Sequence, residues 1–506
     1  MRLSPGRLRL ADRPALVLGL LAVALHAWVN GRYGYFRDEL YFIVCGRHAD
    51  WGYVDQPPLV PWLAAAADYL APGSLRALRA IPALMSAATI AATVFLVRRF
   101  EGRAFAQWTA GLCVLLAPVD LALGTLFTTD AFLPFAWTVC AVLIARILRT
   151  GDQRAWLWIG VVAGLALWSK YLILLNFAAL AIVVPITPLR RGLATSRPYL
   201  GALIAIVIIS PNLVWQWRHG WPFLELAHNG SVYKNVALGP IAYLGRQIVL
   251  LSPLAAPVWI AGLAALAISR RWRRYRVFAL QYVALVAIAV LLHGKDYYVE
   301  SIYPPLFAVG ATALEGWLTT SALRTALAVG IVASGALAAP MAIPLLPIDI
   351  FIAYERTIGF KPAFGEKAAL GVLPQTFADM FGWRDMAAKV SAAYWALPPE
   401  DRAKAAFYAA NYGEAAAVDM FGDRLPPAIS GHNNYFLWGP HGIDGSVLIG
   451  LARDLGQARR YCNEVDPVDR IESPYAMPYE TGLFVIVCRG WKGSLINDWA
   501  TLKNYY

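Results

Sequence analysis

A chain of 506 residues in which 59% are hydrophobic and only 15% are charged is not composed like a soluble globular domain. Several of its apolar runs reach ~17–25 residues, enough to cross a hydrocarbon core, and lipid offers no partner for a loose backbone amide, so these runs must be helical. The formal charge of +12 does not mark a nucleic-acid binder. The basic residues lie in short clusters between apolar runs instead of on one polar face.

The chain opens on MRLSPGRLRLADRP and an apolar run. This resembles a signal peptide, but no small-residue cleavage site is clear, and it reads as an uncleaved first helix. Eleven spans are predicted, at 14–30, 80–97, 104–123, 131–148, 155–169, 171–187, 199–215, 241–268, 277–293, 302–318 and 323–345. Between 155 and 187 only Ser169-Lys170-Tyr171 separates two short spans, and one long tilted helix is the alternative. One set of alternate loops carries the arginine clusters, among them Arg98, Arg99 and Arg103, and Arg270, Arg271, Arg273, Arg274 and Arg276. The positive-inside rule makes that side cytoplasmic. The opposite loops face outward, and an odd number of spans puts the C-terminus outside as well.

The first outward segment, at about 31–79, is the densest in chemistry. Tyr33 to Pro61 holds Arg37, Asp38, Glu39, Arg47, His48, Asp50 and Asp55, interleaved with Tyr33, Tyr35, Phe36, Tyr41, Trp51 and Tyr53. Acids beside aromatic rings at a membrane surface suit a sugar-like substrate that stacks on rings and must be deprotonated. A plain interfacial loop with solvated charges is the alternative. Asp55-Gln56-Pro57-Pro58 predicts extended backbone, because a residue before proline is pushed out of the α region.

After Pro347 no span is predicted. Trp383–Leu397 reads as an amphipathic helix and Ala405–Ala410 as a strand. Gly413–Phe421 reads as a helix, Val447–Leu451 and Leu483–Cys488 as buried strands, and Asp454–Cys462 as helical between them. Strands alternating with helices predict a small α/β domain. The fold class expected is therefore a polytopic α-helical membrane protein of about 11 transmembrane helices, residues 1–346, with a small C-terminal extracytoplasmic α/β domain, residues 347–506. Neither a GxGxxG nor a Walker pattern occurs, so no nucleotide fingerprint is present. Of the five cysteines, Cys113 and Cys140 lie within spans as apolar packing residues, and Cys45 has no obvious partner. Cys462 and Cys488 end a predicted helix and a predicted strand on the oxidising side, where they could meet as a disulfide. Two unrelated buried thiols are the alternative.

Phe36-Arg37-Asp38-Glu39 with Asp55-Gln56-Pro57-Pro58 resembles the membrane glycosyltransferases of the GT-C class. The likeness is greatest to the bacterial branch related to protein O-mannosyltransferases and aminoarabinose transferases. It extends through Thr128-Thr129-Asp130-Ala131, Trp168-Ser169-Lys170-Tyr171, and Gly294-Lys295-Asp296-Tyr297-Tyr298 with Tyr303-Pro304. In the outer domain, Asn411-Tyr412-Gly413-Glu414 and Ser430-Gly431-His432-Asn433 complete it. The resemblance implies transfer of a sugar from a polyprenyl-phosphate donor, on the extracytoplasmic face of the inner or plasma membrane, to a lipid, glycan or protein hydroxyl. The implied partners are thus the donor, the acceptor and the bilayer, with no nucleic acid.

The same resemblance implies Asp38 as the catalytic base, with inversion at the anomeric carbon; a salt bridge to Arg37 is its alternative role. Glu39 is expected to support it and, with Asp55, to line the substrate-binding site. Asp55 stands where aminoarabinose transferases carry an acid that helps bind a metal, and Gln56 replaces their phosphate-binding lysine. A divalent metal held by Asp55 with His228 as second ligand is one expectation, a merely solvated histidine the other. Asp130, at the outer end of a span, is expected either to bind acceptor or sugar or to cap the next helix. Lys170, Lys295, Tyr297 and Tyr298 form the expected donor-phosphate set, with snorkelling lysines as the alternative. A transporter is the rival function. It predicts related halves and mid-membrane sites, whereas the ionisable residues here cluster toward one interface and no internal repeat is found. An enzyme-like scaffold whose outer domain binds a partner is a third reading.

Overall fold

The structure is a computed structural model that describes residues 13–234, 236–359, 367 and 369–506. It divides into two compact units. The first comprises Met1–Gly31, Arg76–Leu213 and Asn235–Pro347; the second comprises Arg32–Leu75, Val214–Lys234 and Ile348–Tyr506.

The first unit is helical. Each of the eleven predicted spans falls on a helix or on a broken pair of helices. Among the described residues, four helices are long and apolar enough to cross a membrane unaided: Leu75–Arg99, Thr129–Thr150, Arg197–Arg218 and Ser321–Ala342. Two more candidates are bent pairs, Ala104–Leu116 with Pro118–Thr125 at 62° and Pro240–Leu250 with Pro253–Ile268 at 96°. A proline opens the second helix of each pair, where its missing N–H breaks the hydrogen-bond ladder. The remaining predicted spans fall on the shorter helices Arg13–Val29, Ala155–Leu167, Ile173–Val183, Val277–Leu291 and Tyr303–Trp317. Residues 155–187 thus form two helices with a turn around Lys170, not one long helix. Helices Ala256–Ile268 and Tyr303–Trp317 pack through facing glycines. A Cβ on Gly262 would overlap the Leu306 carbonyl, and one on Gly310 would overlap that of Val258. Small residues at such a crossing let apolar backbones approach closely where lipid supplies no hydrophobic drive.

The second unit is built on a four-stranded sheet: β1 (Ala405–Tyr408), β2 (Val447–Ala452), β3 (Cys462–Ile471) and β4 (Leu483–Trp491), in the order β1-β2-β4-β3. β1 runs parallel to β2, and the other pairings are antiparallel. Ala406, Leu448, Ile486 and Cys488 form a core with Ile429, Leu495 and Trp499. Helices Trp383–Trp395 and Tyr412–Phe421 pack on one another, as the amphipathic pattern required. β3 was not anticipated. Its sequence CNEVDPVDRI is mostly exposed, and its register slips between Pro467 and Asp469. Charges, a proline and a bulge are the marks of an edge strand, and they conceal the period-2 pattern. Cys462 and Cys488 are disulfide-bonded, with their Cα atoms 5.6 Å apart. The bond ties the edge strand to its neighbour.

The segment expected as an outer loop at 31–79 is instead largely helical, with helices Arg37–Arg47 and Leu59–Leu70. Helix Arg37–Arg47 buries Glu39 through Gly46 and packs against Tyr412–Phe421. For this reason residues 32–75 lie with the C-terminal residues in the second unit, although the division at 346/347 assigned them to the first.

Candidate active site

In the second unit Asp38 sits in the first turn of helix Arg37–Arg47, where unpaired backbone N–H groups favour a negative charge. Its Oδ1 accepts a 2.6 Å hydrogen bond from the Tyr412 hydroxyl and lies 3.7 Å from Arg37 Nε. Its Oδ2 has none of the described contacts. The Asp38 side chain is 31% exposed and that of Arg37 is 12% exposed, so the carboxylate can be reached while its cation is enclosed. Arg37 donates to the Tyr479 hydroxyl at 2.8 Å and stacks over the Tyr412 ring at 5.1 Å. Burial pushes the Tyr412 phenol well above its ordinary value. Arg37 opposes that shift, and the charge of Asp38 adds to it. Tyr412 therefore keeps its proton and acts as donor.

A second tyrosine serves Asp55 in the same manner. The Tyr41 hydroxyl donates to Asp55 Oδ1 at 3.1 Å, and the Tyr41 and Tyr412 rings lie 4.7 Å apart. The motif Ser430–Asn433 and its neighbour Asn434 hold both rings. Asn434 donates its backbone N–H to the Tyr41 oxygen at 3.2 Å, and the Asn434 side-chain oxygen accepts from Val54 N–H at 2.7 Å. His432 Nδ1 accepts from Tyr412 N–H at 3.4 Å, with the two rings edge to face. The other outer motif caps its own helix. Asn411 Oδ1 accepts from Gly413 and Glu414 N–H, and Asn411 Nδ2 donates to both Glu414 and Glu480. These two buried carboxyls are pushed up by burial, and Glu480 further by the charge of Glu414.

Two expectations for this unit need correction. Glu39 is fully buried, and its carboxylate accepts from Phe36 N–H at 2.8 Å, so it closes the helix start and is not placed to bind substrate. Gln56, the residue after Asp55, is buried, 1% exposed. His228 is exposed at the end of helix Pro222–Asn229. Among the described residues no group of three or more His, Cys, Asp or Glu could hold a metal ion. Asp55 and His228 therefore do not fit a metal centre.

In the first unit the turns around Asp130, Lys170 and 295–300 converge. Lys170 Nζ lies 2.6 Å from Asp130 Oδ2 and 5.6 Å from the centre of the Tyr298 ring. Burial lowers the Lys170 ammonium, but Asp130 and Tyr298 outweigh it and hold the group above its ordinary value, with Lys295 opposing. Lys295 lies 5.9 Å from the Tyr297 ring, which meets Tyr298 edge to face. Asp130, Lys170, Lys295, Tyr297 and Tyr298 are thus brought together. Asp130 is neither a helix cap nor a lone acid, because it pairs with Lys170 from a short 3-10 turn.

Glu300 was overlooked. It is 4% exposed, and neither carboxylate oxygen has a hydrogen-bond partner among the described residues. Burial first, then Asp130 and Asp120, push it well above the carboxylate range against the opposing Lys170. A single acid just before the apolar run 302–318 was the available signal.

The family model described as dolichyl-phosphate-mannose-protein mannosyltransferase matches residues 55–215. A lipid A galacturonosyltransferase, RgtD of Rhizobium johnstonii, is 24% identical over 225 residues, 44% of this chain. The chain spans about half, 47%, of that relative's length. ArnT of Cupriavidus metallidurans, solved bound to undecaprenyl phosphate, superposes with TM-score 0.62 at 15% identity, covering 94% of this chain and 97% of that one. The mycobacterial arabinofuranosyltransferase AftD superposes with TM-score 0.53 at 13% identity, covering 97% of this chain and 40% of that one. The fold is that of the GT-C membrane glycosyltransferases, and the chain is a polytopic helical membrane protein. The relation that the motifs implied, to glycosyltransferases akin to the aminoarabinose transferases, is borne out by these likenesses.

Proposed function

We propose that this protein transfers a sugar from a polyprenyl-phosphate-linked donor to an acceptor hydroxyl on the extracytoplasmic face of the cell membrane. The observation that carries the reading is Asp38: a reachable carboxylate whose described contacts are all made to Oδ1. Oδ2 takes the proton of the acceptor hydroxyl. The acceptor oxygen forms its bond to the anomeric carbon from the face opposite the phosphate. The carbon–oxygen bond to phosphate breaks with its electron pair, so the sugar inverts and polyprenyl phosphate leaves. General-base assistance of this kind contributes ~10²–10⁴-fold.

Lys170, Lys295, Tyr297 and Tyr298 are assigned to the donor phosphate, since ammonium and phenol donors suit a monoanionic or dianionic head group. Asp130 is assigned to holding Lys170 and to the sugar. Asp55, held by Tyr41, is assigned to substrate binding without a metal. A lipid A sugar is the acceptor suggested by the galacturonosyltransferase relative, and undecaprenyl phosphate the carrier suggested by ArnT.

Glycan and lipid A profiling of a deletion strain by mass spectrometry tests the reading. One sugar substituent should disappear, and the wild-type gene should restore it. An unchanged profile would refute the transferase assignment. Asp38→Asn keeps the shape but cannot accept the proton, and should restore the substituent at a rate lower by ~10²-fold or more. Restoration at the wild-type rate would remove Asp38 from the chemistry.

A further inference from the structure

We infer that Tyr412 is the positioning residue for Asp38: its phenol holds Oδ1 so that Oδ2 stays aimed for proton abstraction. The inference rests on Asp38 as base and adds a residue from the opposite end of the sequence. The 2.6 Å bond joins positions 374 apart, so no local feature of the helix start demands it. An O–H···O⁻ bond this short is charge-assisted and about twice as strong as a neutral one. The Tyr412 phenol cannot serve as an acid itself, because its proton is bound too tightly in its buried site. Its bond orients the carboxylate and does not consume it.

The surroundings of Tyr412 are those of a clamp. The ring packs against Tyr41 at 4.7 Å and beneath the Arg37 guanidinium at 5.1 Å, and His432 meets it edge to face at 4.9 Å. His432 Nε2 is fixed in turn against the Tyr506 carbonyl at 2.9 Å. Asn411 caps the helix on which Tyr412 is the first residue. The motifs Asn411–Glu414 and Ser430–Asn433 therefore act on Asp38 through one hydroxyl. A carboxylate in the first turn of a helix would otherwise choose among several rotamers, and a displacement of about 1 Å at a reacting group costs on the order of 10²-fold in rate.

The test is a double-mutant cycle of Asp38→Asn and Tyr412→Phe, read as the initial rate at which the missing sugar substituent returns after induction in the deletion strain. Each variant is first matched for amount and melting temperature in the membrane. Phenylalanine keeps the stacked ring and removes only the hydroxyl. Tyr412→Phe alone should slow transfer by about 10-fold or more, whereas added to Asp38→Asn it should change the residual rate by less than about 2-fold. A merely structural role would lower both backgrounds by the same factor, and that result overturns the inference, as does a Tyr412→Phe rate within about 2-fold of wild type. If Asp38→Asn itself transfers normally, the base assignment fails first, and the two failures are told apart. Should Tyr412→Phe accumulate poorly, His432→Gln, which leaves the phenol in place, provides the comparison. It should loosen Tyr412 and slow transfer only while Asp38 is present, and an equal slowing in both backgrounds again overturns the inference.

Discussion

Lys170 Nζ and Asp130 Oδ2 lie 2.6 Å apart, and the other oxygen of Asp130 is buried without a hydrogen-bond partner among the described residues. The pair sits beside Glu300, whose carboxyl is already disfavoured as an anion. Removing the cation leaves Asp130 uncompensated in a poorly solvated place.

Lys170→Met should therefore destabilise the protein by ~3 kcal/mol, a value typical of breaking a buried pair, while Lys170→Met with Asp130→Asn should recover most of that loss. Thermal unfolding of the purified protein in detergent measures both. Equal melting temperatures for the single and double variants would mean that the two residues are not coupled.

The Glu414–Glu480 pair makes the second unit sensitive to pH. Both carboxyls are raised in the folded protein above the unfolded value of ~4.3. Their contribution to stability is thus fully present below about pH 4 and is lost as pH rises through the raised folded-state values. Glu480→Gln removes one titration, so its melting temperature relative to wild type should rise between pH 5 and pH 8, by the equivalent of about 1 kcal/mol or more. A constant offset between the two proteins across that range would show that the pair does not titrate there.

The bond between Cys462 and Cys488 closes a loop with sequence separation 26. In the chain-entropy model such a closure is worth roughly 3 kcal/mol. Intact-mass measurement after alkylation in denaturant should find only Cys45, Cys113 and Cys140 modified before reduction, and all five after it. Alkylation of all five without reduction would leave the edge strand β3 held by its ladder and core alone.

Orientation is open to direct labelling. Arg274 is exposed within the arginine cluster 270–276, and Lys492 is exposed beyond β4. With an impermeant thiol reagent on intact cells, Lys492→Cys should label and Arg274→Cys should not, as the positive-inside rule requires. Labelling at 274 would overturn the predicted arrangement of eleven spans.

Much of the fold was legible from short windows. Apolar runs of span length became helices, because the choice of helix in lipid depends only on the run itself. β2 and β4 were recognisable from buried apolar stretches bounded by polar turns, and the helix at 412–421 from its own pattern. β3 was illegible for the opposite reason: an edge strand is shaped by avoiding further pairing, so its residues look like a solvated loop.

For the site, the sequence by itself determined which residues carry charge among aromatic rings, and so which acids and lysines to examine: Asp38, Asp55, Asp130, Lys170 and Lys295. It could not determine what each one touches. Glu39 and Asp38 are adjacent in the chain, yet one is spent on a helix start and the other left reachable. Tyr412 reaches Asp38 across 374 positions, and Lys170 reaches Asp130 across 40. Glu300 loses its solvent only when the turns around it close. Helix formation and hydropathy are sums over neighbours in sequence, but burial and hydrogen bonding at a carboxylate depend on which distant segments pack against it. Only the tertiary structure decides that.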